Sequence, residues 1–175
     1  MTGSVSRSGL LRGDWTQVDP PLRPPWALAG GAFFDACERC HTCSECISAC
    51  PPAIVVSGRG GFPEISFDLG ACDFCQACIE ACPTGALGPA VDAEGRRLTP
   101  WNARIEVVLT CIANSQIACR VCEDQCEPRA IRFRPGATPS MPVIDAGRCT
   151  GCGACVGPCP VDAIRVTAAW KEVTA

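Results

Sequence analysis

The sequence predicts an α+β fold: two tandem copies of one small module, each with short helices and small antiparallel hairpins, behind an extended N-terminal arm. Three observations predict it. Sixteen of the seventeen cysteines fall into four clustered sets. The sets recur at a near-constant interval, 79 positions from Cys40 to Cys119 and 77 from Cys72 to Cys149. An apolar pair follows each set: Ala53-Ile54, Ala86-Leu87, Ala130-Ile131 and Ala163-Ile164. Self-similarity of this kind marks a repeated structural unit.

Residues 1–31, with Pro20-Pro21 and Pro24-Pro25, read as an extended arm and not as a folded element. Two readings of the arm stay open: a docking segment presenting Trp15 and Trp26, or a disordered tail. The first module spans 32–88. In it, Ile54-Val55-Val56 and Glu64 to Phe67 flank Ser57 to Gly61, the pattern of a hairpin and its turn. Residues 89–102, rich in Gly, Pro and charge, read as a linker. The second module spans 103–170. Ile105, Val107 and Leu109 alternate with Glu106 and Val108, a strand leading into Cys111. Ala130 to Arg134 alternates as well, which puts Arg132 and Arg134 opposite Ile131 and Phe133, and Pro135-Gly136 ends it. Short strand-like runs ending in Asp68 and Asp145 stand four residues ahead of Cys72 and Cys149.

Three of the cysteine sets are spelled C-x2-C-x2-C-x3-C-P: Cys40, Cys43, Cys46, Cys50; Cys72, Cys75, Cys78, Cys82; and Cys149, Cys152, Cys155, Cys159. The other is stretched, Cys111-x7-Cys119-x2-Cys122-x3-Cys126, with Glu127 between the last cysteine and Pro128. This is the iron–sulfur signature, and four sets of four thiolates imply four [4Fe–4S] clusters. Three cysteines two residues apart let a tight loop wrap three iron corners with its backbone N–H groups facing sulfur. Small residues such as Ala77, Gly153 and Ala154 allow the close approach. The third and fourth cysteines, four apart, share a face of a helical turn. Proline then ends the turn. Zinc fits poorly, because structural zinc sites pair two C-x2-C knuckles on one tetrahedral ion. Cys37 stands outside the sets; it reads as a spare buried thiol or, less simply, as an alternate ligand. His41, inside the first loop, reads as a partly exposed residue with an option of tuning the cluster.

Composition narrows the function classes. No apolar core follows Leu10-Leu11, which run at once into Arg12, Gly13 and Asp14, so the sequence predicts no signal peptide. Without export, the thiols stay reduced and free for metal, and the expected location is cytoplasmic. No stretch is long enough for a membrane span, and the mean hydropathy of +0.17 is inflated by cysteine. Each cubane with its thiolates carries roughly −2, taking the chain's −3 to roughly −11 when loaded. Nucleic acid is thereby a poor partner. A lone histidine and four fully ligated clusters also argue against an enzyme.

The C-x2-C-x2-C-x3-C-P sets resemble the bacterial two-cluster [4Fe–4S] ferredoxins. In that family the fourth cysteine of a set ligates the other cluster of its module. The resemblance implies Cys40, Cys43, Cys46 with Cys82, and Cys72, Cys75, Cys78 with Cys50. For the second module it implies Cys111, Cys119, Cys122 with Cys159, and Cys149, Cys152, Cys155 with Cys126. A more specific likeness lies in Asn114 to Phe133 (NSQIACRVCEDQCEPRAIRF), Ser6 to Gly13, Arg23 to Leu28 and Gly60 to Glu64. These resemble the NapF family, ferredoxin-type accessory proteins of periplasmic nitrate reductase systems, over nearly the whole chain. Relatives often carry paired arginines in the arm, where this chain has Arg7-Ser8. The resemblance implies a cytoplasmic protein that binds the precursor of the catalytic subunit NapA and assists its maturation before export. The alternative is a polyferredoxin that carries single electrons. The oligomeric state stays open.

Overall fold

Gly and Pro punctuate the chain closely, and among the described residues no regular element is longer than the eight residues of Gly31–Glu38. The computed structural model describes residues 21–38, 43–89, 91–96, 98, 100–101, 103–134, 136 and 141–168. Helix α1 (Gly31–Glu38) precedes the cysteine loops. Three one-turn helices sit in those loops: α2 (Glu45–Ser48), α3 (Ala77–Glu80) and α4 (Val121–Asp124). The strands are β1 (Val55–Ser57), β2 (Pro63–Ile65), β3 (Ala103–Val107), β4 (Ile131–Phe133), β5 (Pro142–Ile144) and β6 (Ile164–Ala168).

They form three antiparallel pairs. Two are hairpins placed alike between cysteine sets: β1 with β2 (Val55 opposite Ile65), and β4 with β5 (Ile131 opposite Ile144). In the third, β3 pairs with β6, Ala103 opposite Ala168 and Val107 opposite Ile164. It joins the chain before the third set to the chain after the last. The corresponding place in the first half holds a single bridge, Ala27 with Leu87. The first hairpin overlaps the runs expected at 54–56 and 64–67, with β1 extended to Ser57 and β2 running from Pro63 to Ile65, and β4 lies within the alternation of 130–134. Ile131 and Phe133 are buried while Arg132 and Arg134 are exposed.

The arm departs from expectation over its described part. Residues 21–27 are buried or half-buried, with Leu22, Pro24 and Pro25 buried, while residues 28–30 are exposed. Ile65 N–H donates to the Leu22 carbonyl at 2.8 Å, and Leu28 N–H to the Ala86 carbonyl at 3.0 Å. Trp26 stacks edge-on against Phe74 and donates its Nε1–H to the Leu98 carbonyl at 3.1 Å. Neither a free docking segment nor a loose tail describes residues 21–30. Prolines there fix an extended backbone that lies along the hairpin instead of leaving it. Trp15 and the rest of 1–20 lie outside the described residues. The 89–102 stretch is likewise anchored, since Trp101 packs on Phe67 and Phe74 at 5.8 and 6.0 Å between ring centroids.

The apolar core is divided among the cysteine loops. One group gathers Phe33, Ala36, Cys37, Cys78, Ala86 and Leu87. A second brings Leu22, Ile54 and Phe67 from the first half against Trp101, Val156 and Val166 from the second. A third holds Ile131, Cys155 and Ile164. Cysteines belong to every group, so the core cannot be drawn apart from the thiols. Among the described residues, no helix is long and apolar enough to cross a membrane.

Candidate metal centres

The same turn closes all four cysteine sets. Three positions after the fourth cysteine the backbone is left-handed: Ala53 (φ 54°), Gly85 (φ 68°), Arg129 (φ 53°) and Asp162 (φ 48°). The next side chain plugs the core, with Ile54, Ala86, Ala130 and Ala163 all at most 2% exposed. This register corrects the apolar pair after the first set. The buried pair is Ile54-Val55, because Ala53 itself is the exposed left-handed residue. The turn also sends an amide back to sulfur. Ala130 N–H donates to Cys126 Sγ at 3.1 Å and Ala163 N–H to Cys159 Sγ at 3.2 Å. At Cys82, burial raises the thiol pKa, but the backbone N–H groups of Leu87, Thr84 and Ala86 and the Thr84 hydroxyl outweigh it. The net result is a Cys82 thiol below its ordinary value. Donors at a thiolate stabilise its charged form.

The third cysteines Cys46, Cys78 and Cys122 ride on α2, α3 and α4. Cys155 lies in the turn at 154–158. An open cavity of about 350 Å³ in the second half is lined by Cys111, Cys119 and Cys122 together with Cys159. One of about 330 Å³ in the first half is lined by Cys43 and Cys46 together with Cys82, and also by Cys37. Cys40 and His41 lie outside the described residues. Mutual repulsion of thiolates reports the remaining neighbours. Burial, then Cys50 and Cys75, push Cys78 up to about 11. Burial first, and with it Cys78, Asp73 and Cys50, push Cys72 up to about 12. Burial, then Cys152 and Cys126, raise Cys149. Cys82 and Cys159 thus line a cavity with the other set of their half, and Cys50 and Cys126 lie near enough to the other set to act on its thiols electrostatically.

These surroundings fit an iron–sulfur cluster. Apart from the thiols, the two cavities are lined almost wholly by apolar side chains such as Val107, Phe133, Phe33 and Leu87. Thiolates with no carboxylate or imidazole among the described lining residues suit soft metal centres, iron–sulfur clusters among them. Among the described residues, no three Cys, His, Asp or Glu side chains converge on a point where one metal ion would sit. Trp101 Nε1 is buried without a hydrogen-bond partner, beside Gly151 in the Cys149–Cys152 loop. An anionic cluster held by that loop would offer it an acceptor.

Two cysteine loops from opposite halves touch. Cys72 N–H donates to the Cys152 carbonyl at 2.8 Å. Phe67 covers Gly153 and Trp101 covers Gly151, and both glycines have positive φ (78° and 73°) with no room for a Cβ. Beside the first cavity, Arg23 lies over the rings of Phe33, Phe34 and Phe62 at 5.4, 5.3 and 5.8 Å. It also pairs with Glu64 at 3.6 Å and donates to the Pro63 carbonyl at 3.1 Å. The sequence did not single out Arg23 or Phe33 as neighbours of the site. The helical spacing of Phe33 and Cys37 was the available signal.

Comparison with known proteins agrees with this chemistry. Residues 38–86 match the 4Fe-4S dicluster domain family, and residues 142–165 match the 4Fe-4S binding domain family. Curated ferredoxin-type NapF proteins from Escherichia coli K12 and Haemophilus influenzae are each 38% identical to the chain. Those alignments cover 91% and 95% of this chain and 93% and 90% of the relatives. The chain belongs to the NapF family of ferredoxin-type proteins. Its cofactors are [4Fe–4S] clusters, and sixteen clustered cysteines match a complement of four. Similarity reaches beyond the NapF proteins. The methylamine utilization ferredoxin-type protein MauM of Methylobacillus flagellatus is 34% identical over 95% of this chain and 76% of its own length.

Proposed function

We propose that the chain is a cytoplasmic accessory protein with two modules, 32–88 and 103–170, each holding two [4Fe–4S] clusters. It binds the precursor of the nitrate reductase catalytic subunit NapA and assists its maturation before export. The ligand sets are Cys40, Cys43, Cys46 with Cys82; Cys72, Cys75, Cys78 with Cys50; Cys111, Cys119, Cys122 with Cys159; and Cys149, Cys152, Cys155 with Cys126. The observation that carries this is the mixing of sets within single cavities, with Cys159 beside Cys111 and Cys82 beside Cys46. When bound, the clusters supply one-electron chemistry. The chain's own residues hold sulfur at the corners, donate amide N–H groups to it and keep water away with Ile54, Ala86, Ala130 and Ala163. No residue here is assigned to catalysis.

Membership of the NapF family supports the NapA assignment. An anaerobic incubation of loaded protein with cluster-free NapA precursor, followed by separation and assay of iron and sulfide in NapA, tests it. Iron and sulfide arriving in cubane ratio is the expected result; an empty NapA that nevertheless binds would remove cluster donation. A second reading, electron carriage, is favoured by the Cys72–Cys152 hydrogen bond, which puts a cysteine loop of each half in contact. Reversible reduction of all clusters without iron loss, followed by reduction of cluster-bearing NapA, would select it.

A further inference from the structure

The first cavity contains a thiol that the ligand sets do not use. Cys37 lies near the end of α1, one turn after Phe33, and is 7% exposed. It lines the same cavity as Cys43, Cys46 and Cys82. It also packs in one group with Cys46 and Cys82. Cys37 thus stands among the described thiols of this cavity as Cys111 stands among those of the other.

Spacing does not disqualify Cys37. It stands six positions before Cys43, whereas Cys111 stands eight before Cys119 and still reaches its cavity. In sequence, Cys37, Cys40, Cys43 and Cys46 form a ladder with one rung every three residues. With Cys82 that makes five thiols for the four corners of one cubane. Its surroundings also suit a charged ligand set, because the Arg23 guanidinium lies over Phe33 in the same apolar group.

We propose that Cys37 is a ligand of the first cluster, able to hold the iron corner otherwise held by Cys40. The inference rests on the ligand assignment above, which gives the other three corners to Cys43, Cys46 and Cys82. The exchange is redox-neutral. One Fe–Sγ bond to Cys40 breaks as one to Cys37 forms, and the proton leaving the Cys37 thiol is taken up by the released Cys40 thiolate. A corner with two interchangeable thiols opens without the cluster falling out, which suits a protein that must release iron–sulfur units to a client.

The test compares Cys40→Ser, Cys37→Ser/Cys40→Ser and Cys37→Ser/Cys82→Ser in the full chain, reconstituted anaerobically. Iron and sulfide per chain and the low-temperature electron paramagnetic resonance of the reduced protein are the readouts. Cys40→Ser keeps the full iron complement, and Cys37→Ser/Cys40→Ser loses about one quarter of it, one cluster in four. Loss of that quarter in Cys40→Ser alone, or its retention in that double variant, overturns the inference. Cys37→Ser/Cys82→Ser separates the two claims, since only three thiols of the first cluster remain there and full iron breaks the crossed assignment. If the variants do not fold, the unsubstituted holoprotein decides. Anaerobic alkylation at full iron content, mapped by mass spectrometry, labels a fraction of Cys40; complete protection of Cys40 overturns the inference.

Discussion

At the scale of single residues, the recurring left-handed position after each set is the smallest unit of the site. Only Gly85 of the four meets that conformation without cost; Ala53, Arg129 and Asp162 adopt it against their own preference. Open space surrounds Gly85, so substitution there reads backbone cost alone. Gly85→Val is expected to lower stability by about 1–2 kcal/mol, seen as a shifted denaturant midpoint under anaerobic conditions; an unchanged midpoint would refute the role of that turn. Thiol protonation gives a second prediction. Burial, chiefly, with neighbouring thiols, pushes Cys46, Cys72 and Cys155 up to about 12 and Cys78 and Cys122 up to about 11. A raised pKa keeps the proton on at neutral pH, and ligation must expel it. Cluster loading of the thiol-only protein should therefore become more complete as pH rises from 7 to 9, measured as iron bound per chain; loading that worsens over that interval contradicts the assignment.

At the scale of elements, much was legible and the misses share one cause. The alternation of Ile131, Arg132, Phe133 and Arg134 located β4 and its buried face, and the Gly-rich Ser57–Gly61 located the first hairpin turn. The cysteine spacing placed the one-turn helices. Leu109 continues the alternation of β3 in sequence yet lies 80% exposed beyond its end, because strand pairing with β6 stops at Val107. The arm and α1 were opaque for a related reason. Their structure comes from partners about forty residues away, such as Glu64 and Phe62 on Arg23, and local pattern carries no such information. This pairing makes a prediction at the element's own scale. Arg23→Ala should cost about 1–2 kcal/mol through loss of ring stacking and shift the potential of one cluster to more negative values. Arg23→Lys should restore the potential better than the stability, because an ammonium keeps the charge but not the planar stack. Voltammetry and denaturation read the two separately, and equal rescue of both would reject the stacking account.

At the scale of the molecule, the halves are joined by glycine. A Cβ on Gly153 would enter the Phe67 ring, and one on Gly157 would press on the Phe67 carbonyl at 3.1 Å. Gly153→Ala is expected to cost about 1–3 kcal/mol by overpacking, with part of the loss recovered when Phe67→Ala is added. Additive losses in the double variant would place the cost elsewhere than the junction.

The pairing of cavities with distant thiols has a consequence for how the protein is made. The cavity that holds Cys46 has no complete wall until Cys82 exists, and the cavity of Cys111 waits for Cys159. A ribosome that has delivered only the first set has made thiols without a container. Each of these cavities gains its last thiol only when Cys82 or Cys159 has cleared the exit tunnel, so a chain interrupted earlier carries thiols around an unfinished wall.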